Sequence, residues 1–550
     1  MKDAFSQNKI LVVGLDGATN NLIESLLAKN KLPFFQKLKQ NGLFGELKAP
    51  LPINSASSWA SFFTGKNPGK HNIYDYLSHK NTPNSPSLIS RQSIKAKTIW
   101  NITESYPIKS IYFNVPILTE PQPLNGYMAS GFITPKDKPY AYPDTFQDEL
   151  SRQNYQPDCG PNGYSDLEQH FNKLIEGFEN QATIFQNKIK SFSWNIAFAS
   201  FNVLDRVQKL YWDDADKIEQ IYSIIDQRLG EIFSTVGKDT YLFVFSTHGY
   251  SSVNRKFFVN EWLHENNFLK YNISTNKTMI TDADELVFNH EKDDSSLITD
   301  ILTKYGITKN NIRSILPESV NDVLKKAVPQ PLKKLFHKEY LEIEWKKTRA
   351  YFISENIQGI NINLKGREFN GIVEPGFEYE NLREQIISEL YNLKDPYSFE
   401  NVIDDAYKKE DIFHGKNLED APDIIIVSHK NRYVLDPNKR TAKLVIGSAN
   451  DDSPVSAQRD RNGILFLNGP GVSQNSNNVD IHITDLMPTI LALLGIDYVD
   501  NLDGKVISQI SGAVVNEVNE QQDFIPAEDI TSFIPEEFFN NKIKSGNIPV

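Results

Sequence analysis

Six short runs of β-forming apolar residues, each followed by polar or glycine-containing sequence, restrict the fold more than any other feature of the chain. These runs cover residues 10–15, 110–113, 194–201, 241–245, 423–427 and 464–467. Longer patterns of helical period lie between them, as at residues 166–191 and 215–234. Strands that alternate with helices in this way predict an α/β fold with a mostly parallel central sheet and helices on both faces.

Polar side chains stand directly after several of these runs. In mostly parallel sheets, the loops beyond the carboxyl ends of the strands form the ligand site. That rule selects Asp16, Asn114, Asp205 and the pair Thr247 and His248 as candidate site residues. Each is a weak signal when taken alone, because Asp and Asn at strand ends also cap helices and form turns.

The composition limits the class of protein and its partners. Hydrophobic residues make up 39% of the 550 residues, which suits a globular chain with a large core. The net charge of −12 gives no overall positive field, so we expect neither a nucleic-acid polymer nor a membrane as a partner. The single cysteine, Cys159, excludes an internal disulfide framework, and the apolar run at residues 10–15 is too short for an export signal. We therefore expect a cytoplasmic protein.

Two stretches differ in composition from the rest of the chain. Residues 266–346 are polar and charged, with short helical patterns, and predict an insertion or cap on the main domain. Residues 513–550 contain too few periodic apolar positions for a core and predict a loosely attached C-terminal tail. The main α/β domain would then comprise residues 1–265 and 347–512.

The segment at residues 52–76 places Ser55, Ser57 and Ser58 at the start of an apolar helical pattern. A hydroxyl at a helix N-terminus lies in partial positive charge, which favours its alkoxide and a bound anion, so such a serine is a candidate nucleophile. The same residues also suit simple helix capping. The residue chemistry alone leaves both interpretations open.

Ordered motifs along the chain resemble the type I phosphodiesterase/nucleotide pyrophosphatase family of the alkaline phosphatase superfamily. They begin with Val-Gly-Leu-Asp-Gly-Ala at residues 13–18 and continue with the serine segment, which ends in Thr-Gly-Lys-Asn-Pro-Gly-Lys-His at residues 64–71. Further matches are Asn-Val-Pro at 114–116, Asp-Arg-Val-Gln at 205–208, His-Gly at 248–249, Gly-Arg-Glu at 366–368, Ala-Pro-Asp at 421–423 and Thr-Asp-Leu-Met-Pro-Thr at 484–489. The resemblance implies an alkaline-phosphatase-like fold.

The resemblance also implies a Ser or Thr nucleophile, here Ser55, above two closely spaced divalent metals, usually zinc. A pair of metals can hold both the attacking and the leaving oxygen of a phosphoryl transfer. One metal would take Asp16, the Ser55 alkoxide and an Asp-His pair, and the other would take Asp205 with two further histidines. This chain departs from the family pattern at three positions: Thr247 precedes His248 in place of Asp, Lys209 follows Asp205 in place of His, and Gln458 or Arg459 stands where the late His is expected.

These departures imply that fixed cations have replaced one dication. An ammonium group cannot coordinate zinc, but Lys209 and Arg459 can offset phosphate charge. We expect at most one divalent ion, zinc, manganese or calcium, and no two-metal centre. The predicted site comprises the metal ligands Asp16, Thr247 and His248, the catalytic residues Ser55, Lys209 and Arg459, and the substrate contacts Asn114 and Asp205.

Three functions are open at this point. The first is hydrolysis or transfer of a phosphate ester, with Ser55 as the nucleophile and Lys209 and Arg459 stabilising the anionic transition state. The second is an inactive family member that binds an anion or acts as a scaffold. The third is a transferase that acts on an organic metabolite. We favour the first, with a small anionic substrate, because Ser55 and Asp16 persist beside the cationic replacements.

Overall fold

The computed structural model describes residues 8–510, except for residues 79–86, 136, 161–165, 275–339, 438–444, 449–455, 475–479 and 499. All described residues belong to the unit formed by Met1–Val514. Most of the predicted insertion at 266–346, and all of the predicted tail at 513–550, lie outside the described residues. The predicted domain boundaries therefore stay predictions.

The described chain alternates strands and helices along most of its length. The strands are β1 (Lys9–Leu15), β2 (Leu43–Lys48), β3 (Leu77–Ser78), β4 (Ser87–Leu88), β5 (Ser110–Val115), β6 (Gly126–Ser130), β7 (Ala141–Tyr142), β8 (Ile196–Phe201), β9 (Thr240–Phe245), β10 (Gly249–Ser252), β11 (Arg255–Phe258), β12 (Tyr271–Ser274), β13 (Tyr340–Ile343), β14 (Ala350–Phe352), β15 (Gly359–Ile362), β16 (Ile403–Lys408), β17 (Ile424–Ser428), β18 (Tyr433–Asp436), β19 (Ile446–Ser448), β20 (Ala457–Asp460), β21 (Asn462–Asn468) and β22 (Ile481–His482). The α-helices are α1 (Asn20–Ala28), α2 (Pro33–Asn41), α3 (Ser55–Thr64), α4 (Pro68–His71), α5 (Ile99–Thr103), α6 (Asp144–Arg152), α7 (Leu167–Ser191), α8 (Val203–Tyr211), α9 (Ala215–Phe233), α10 (Val259–Glu265), α11 (Phe377–Asn392), α12 (Lys409–Ile412) and α13 (Leu486–Leu493). Within this described part, no helix combines the length and apolar character needed to cross a bilayer.

Nine of the described strands form a central sheet in the order β22-β2-β21-β9-β1-β8-β5-β6-β7. The consecutive pairs from β9 to β6 are all parallel. Antiparallel pairing is found on either side of them, where β21 joins β9 and β7 joins β6. The predicted α/β fold with a mostly parallel central sheet is confirmed.

Helices cover both faces of this sheet, and the alternation of side chains along β1 shows how. Leu11, Val13 and Leu15 pack into a core formed with α1, α2, α7 and α9. Ile10 and Val12 point to the opposite face and pack with α3, α5 and α13. A strand buried on both faces is an unbroken apolar run, which is why β1 was visible in the sequence.

A second sheet corrects one sequence prediction. The strands β14-β15-β17-β16 pair in this order, each antiparallel to its neighbour. The run at residues 423–427 forms most of β17, so its assignment to the central sheet was wrong: an apolar run indicates a buried strand but not its pairing. Arg367 binds both carboxylate oxygens of Asp423 at 2.7 and 2.6 Å, which gives the Gly-Arg-Glu motif a structural role in this sheet.

The packing of α3 against β1 brings the start of the helix close to the end of the strand. Trp59 of α3 lies so close to the strand that a Cβ on Gly14 would come within 2.1 Å of the indole ring. Glycine at that position therefore lets the helix approach the sheet. Asn54 begins the helix as its N-cap, and its side chain accepts a hydrogen bond from the Ser57 amide at 2.8 Å.

Candidate active site

A cavity lies beyond the carboxyl ends of β1, β8 and β9, where the strand rule places a ligand site. Asp16 directly follows β1, Asp205 lies in the first turn of α8 after β8, and Thr247 and His248 follow β9. Ser55 comes from the first turn of α3. The lining residues are Asp16, Asn54, Ser55, Asp75, Tyr76, Phe132, Asn202, Asp205, Arg206, Lys209, Asn356 and Arg459.

Ser55 is the hydroxyl that the fold presents to this cavity. It is the first residue of α3 and is 3% exposed. Its Oγ lies 3.0 Å from His248 Nε2 and 3.2 Å from Asp16 Oδ2. The start of the helix adds partial positive charge around the same oxygen. This is the arrangement of a nucleophile beside a base, in which the hydroxyl proton has an acceptor within hydrogen-bond distance.

His248 is fully buried, and its two ring nitrogens have different neighbours. Nδ1 lies 3.1 Å from the Gly249 carbonyl oxygen, which can only accept a hydrogen bond, so the proton is assigned to Nδ1. Nε2 then carries the lone pair that faces Ser55. Burial lowers the pKa of His248, and the charge of Arg459 lowers it further. Asp16 and Asp205 act in the opposite direction and raise it.

Asp16 is held by donors on both of its carboxylate oxygens. Trp59 Nε1 donates to Oδ2 at 3.0 Å, and Thr247 donates its hydroxyl to Oδ1. Burial raises the pKa of this carboxyl, His248 opposes the rise, and Asp205 adds to it. Trp59 and Ser55 are four residues apart on α3 and therefore face Asp16 from the same side of the helix.

Asp205 is paired with a guanidinium group. Arg459 donates from Nε to Asp205 Oδ1 at 3.1 Å and from Nη2 to Oδ2 at 3.2 Å. Tyr250 adds a hydrogen bond from its hydroxyl to Oδ1 at 2.8 Å. Burial alone would raise the pKa of Asp205, but Arg459, His248 and Arg206 outweigh it and hold the pKa well below its ordinary value.

The structure decides between Gln458 and Arg459. In the antiparallel pair of β10 and β20, Arg459 stands opposite Tyr250 and faces the cavity. The neighbouring Gln458 points to the other side, where Nε2 donates to the Asn431 carbonyl oxygen at 2.9 Å. Arg459 is therefore the residue that takes the place beside Asp205.

The donor set fits a second divalent metal poorly. Both oxygens of Asp205 are engaged by Arg459, and a guanidinium group has no lone pair to offer a metal. Among the described residues, no group of three or more His, Cys, Asp or Glu side chains has an arrangement that could hold a metal ion. For a single cation, Asp16 and His248 are the strong donors, and the Thr247 hydroxyl is turned toward Asp16.

Lys209 and Arg206 add positive charge to the cavity. Both lie on α8 with Asp205, and both line the cavity. Arg206 Nη2 binds Asp158 Oδ2 at 2.8 Å, which fixes the guanidinium group in place. The sequence interpretation singled out Lys209 but missed Arg206, although the cation directly follows Asp205 in the motif at residues 205–208.

Asn114 does not line the cavity. Its Nδ2 donates to the Ser200 carbonyl oxygen at 3.1 Å, and its Oδ1 accepts a hydrogen bond from the Tyr155 hydroxyl. Asn114 is 4% exposed and has a φ of 57°, a conformation that Asn tolerates better than most residues. The predicted substrate contact of Asn114 has no support in this geometry; the residue joins β5 to its neighbours.

Several lining residues escaped the sequence interpretation. Asn54 could have been found, because Asn directly before a helical pattern is a favoured N-cap. Tyr76 and Asn356 had no such signal, since both reach the cavity from loops and neither follows a predicted strand nor begins a predicted helix. Asn356 accepts a hydrogen bond from Arg459 Nη1 at 2.9 Å and so supports the pair with Asp205.

The motif after α3 anchors the site rather than lining it. Lys66 Nζ binds Asp500 at 3.0 Å, and Lys70 Nζ binds Asp503 at 2.5 Å. His71 lies 2.9 Å from the Ser61 hydroxyl through Nε2 and accepts a hydrogen bond from the Ile73 amide through Nδ1. The two lysine contacts tie the end of the helix to the chain that follows α13, and His71 joins α4 to α3.

Comparison with known proteins identifies the family of the chain. The sequence model of type I phosphodiesterase/nucleotide pyrophosphatase matches residues 10–451. This confirms the family expected from the motifs. No curated protein matches the chain significantly in sequence.

Solved structures share the fold at low sequence identity. Human ectonucleotide pyrophosphatase/phosphodiesterase 5 is 12% identical, with 90% of this chain and 97% of that chain covered and a TM-score of 0.51. The alkaline phosphatase PafA is 13% identical, with 92% and 99% covered and a TM-score of 0.52. Phosphonoacetate hydrolase from Sinorhizobium meliloti 1021, in complex with phosphonoformate, is 13% identical, with 89% and 96% covered and a TM-score of 0.52. These similarities show an alkaline-phosphatase-like fold.

Proposed function

We propose, from the premise that this chain belongs to the type I phosphodiesterase/nucleotide pyrophosphatase family, that it hydrolyses or transfers a small phosphate ester with Ser55 as its nucleophile. The observation that carries the proposal is the placement of the Ser55 hydroxyl at a helix N-terminus, 3.0 Å from His248 Nε2 and on the wall of the cavity. A serine that served only as a cap would not need a buried imidazole as its partner.

Fixed cations support the same proposal. Arg459, Arg206 and Lys209 line the cavity that also holds Ser55. A phosphoryl group in transfer spreads negative charge over its non-bridging oxygens, and cations held in place stabilise that charge without reorganising. Phosphonoacetate hydrolase, a structural neighbour, was crystallised with the small anion phosphonoformate, which agrees with a small anionic substrate.

We further propose that the site uses at most one divalent metal. Asp16 and His248, with the hydroxyls of Ser55 and Thr247, are the residues that would hold a single cation, which would supply charge to stabilise the Ser55 alkoxide. At the position of the second metal, the guanidinium group of Arg459 already neutralises Asp205. Lys209 adds a second fixed charge on the same side.

Without a bound cation, His248 Nε2 is free to accept a proton, and the chemical step follows from the contacts of Ser55. Ser55 Oγ forms a bond to phosphorus while the bond from phosphorus to the leaving oxygen breaks, and the hydroxyl proton passes to His248 Nε2. The leaving oxygen takes up a proton from the imidazolium or from water. Water, or an acceptor hydroxyl in a transferase, then attacks the phosphoserine, and the Ser55 hydroxyl is restored.

The test is the hydrolysis of bis-p-nitrophenyl phosphate by the wild-type chain and by Ser55→Ala. Each protein is assayed with EDTA and with zinc, manganese or calcium. We expect the wild type to hydrolyse the substrate and Ser55→Ala to be inactive. The wild type should bind no more than one metal ion per chain. Ser58→Ala, three residues further along the same buried helix, is the matched control and should keep the activity. Equal inactivity of wild type and Ser55→Ala with every metal would contradict the proposal for this substrate class.

A second candidate function is anion binding without catalysis. Its support is the loss of three expected metal ligands and the engagement of both Asp205 oxygens by Arg459. Under this alternative, the wild type binds inorganic phosphate but shows no turnover with any metal. Isothermal titration with phosphate beside the hydrolysis assay separates the two functions.

A further inference from the structure

The hydroxyl of Tyr76 is the unusual group on the wall of the cavity. The Tyr76 side chain is 8% exposed, and its hydroxyl oxygen is buried with no hydrogen-bond partner among the described residues. A buried polar group without a partner costs about 1–3 kcal/mol. Such a group needs an explanation. The surroundings support one in which a molecule bound in the cavity supplies the missing hydrogen-bond partner.

The rest of Tyr76 is held firmly. Its amide donates to Asp75 Oδ1 at 2.7 Å, and its carbonyl oxygen accepts a hydrogen bond from the Ile89 amide at 2.9 Å. The ring packs edge-to-face on Phe132, with 5.1 Å between the ring centroids. Because the backbone and the ring are both fixed, the hydroxyl is held in one place rather than free to turn to another partner.

The charges around Tyr76 define what the hydroxyl can bind. Asp16, Asp75 and Asp205 line the same cavity, yet none of these carboxylates accepts a hydrogen bond from Tyr76. Burial raises the pKa of Tyr76 well above its ordinary value, and Asp16 adds to the rise. The phenol therefore stays protonated and offers a donor, which suits an oxygen of an anion.

We propose that the Tyr76 hydroxyl donates a hydrogen bond to a non-bridging oxygen of the phosphoryl group bound at Ser55. This inference rests on the proposed phosphoryl chemistry of Ser55, because both residues line one cavity with Arg459. Tyr76 then orients the anion from one wall while the guanidinium group of Arg459 supplies charge from another. The substrate class is a phosphate ester or a free phosphate, which share the non-bridging oxygens that the hydroxyl would contact.

Tyr76→Phe tests the inference, because it removes the hydroxyl and leaves the ring on Phe132. We expect binding of inorganic phosphate, measured by isothermal titration, to weaken about 10-fold to 100-fold, as the loss of one hydrogen bond to a charged group predicts. The urea midpoint should stay at the wild-type value or rise, since the substitution removes an unpaired buried group. That combination separates a ligand contact from a structural role.

Tyr112→Phe is the matched control. Tyr112 is also buried, at 1% exposure, but it belongs to the core beneath the central sheet and does not line the cavity. Its substitution should leave phosphate binding unchanged. Phosphate binding by Tyr76→Phe equal to that of the wild type, or no phosphate binding by the wild type, would overturn the inference. A third outcome separates the two proposals: the wild type binds phosphate but hydrolyses nothing, and Tyr76→Phe binds phosphate more weakly. This outcome would support the Tyr76 contact and reject only the hydrolase proposal.

Discussion

Arg459 engages both carboxylate oxygens of Asp205, through Nε at 3.1 Å and Nη2 at 3.2 Å. The pair joins β20 to α8 across the cavity, and Tyr250 and Asn356 support it from either side. Desolvation alone would raise the pKa of Asp205, but Arg459, together with His248 and Arg206, lowers it below its ordinary value. The pair therefore places a permanent cation beside a buried carboxylate at the cavity.

Removal of Arg459 should destabilise the chain. Arg459→Ala leaves the Asp205 carboxylate buried without its counter-charge, and we expect the free energy of unfolding to fall by about 3 kcal/mol. Arg459→Lys should lose less, because it keeps the charge but not the two-point contact. The measurement is urea denaturation at pH 7. The double variant Asp205→Asn/Arg459→Leu, which removes both charges, should recover much of the loss; an unchanged Arg459→Ala would contradict a role in stability.

The number of metal ions bound per chain should depend on the three positions that depart from the family pattern. We expect the wild type, loaded with zinc and then dialysed, to hold at most one zinc ion per chain by mass spectrometry. The triple variant Thr247→Asp/Lys209→His/Arg459→His restores the ligand types expected from the family pattern and also frees Asp205. It should bind at least one ion more than the wild type. Two tightly held ions in the wild type would refute our interpretation of Arg459.

The sequence predicted the parts of the site that depend on local pattern. Asp16 and His248 follow apolar runs that became β1 and β9, and the parallel pairing of these strands brings their ends together. Ser55 begins a helix because Asn54 caps it. These features arise within a few residues of the chain, so a single sequence reveals them.

Features that depend on distant contacts were beyond the sequence. Whether Gln458 or Arg459 faces the cavity is decided by the register of β20 against β10, where a shift of one residue would exchange the two. The contacts of Asn114 with Tyr155 and Ser200 also join distant parts of the chain. The pairing of β17 outside the central sheet is of the same kind, since pairing is a property of the assembled chain.

Asn54 should affect both stability and catalysis. Its side chain caps α3 through the Ser57 amide and donates to the carbonyl oxygens of Tyr74 and Asn356 at 2.8 and 2.9 Å. We expect Asn54→Ala to lower the free energy of unfolding by about 1–2 kcal/mol and to reduce kcat, because Ser55 begins the helix that loses its cap. Asn54→Ser keeps a capping oxygen and should recover part of the stability. Urea denaturation and the phosphate-ester assay give the two readouts, and an Asn54→Ala protein as stable as the wild type would contradict the cap.

His71 should make the fold sensitive to acid. Burial lowers the pKa of His71 from 6.5 to about 3, because removal from water disfavours the charged imidazolium. Its pKa is depressed in the folded chain, so this contribution to stability is complete above pH 6.5 and is lost as the pH falls toward 3. Between pH 6.5 and 4.5 the loss should be about 2–3 kcal/mol, at ~1.4 kcal/mol for each pH unit.

His71→Gln isolates this effect. Glutamine retains one acceptor and one donor but cannot take up a proton. Urea denaturation at pH 7.0 and 4.5 should show a smaller fall in unfolding free energy for His71→Gln than for the wild type. His414→Gln changes an exposed histidine and serves as the control, with the pH dependence of the wild type. The same fall in wild type and His71→Gln would mean that His71 is not the buried neutral group described above, because acid would then act through other residues alone.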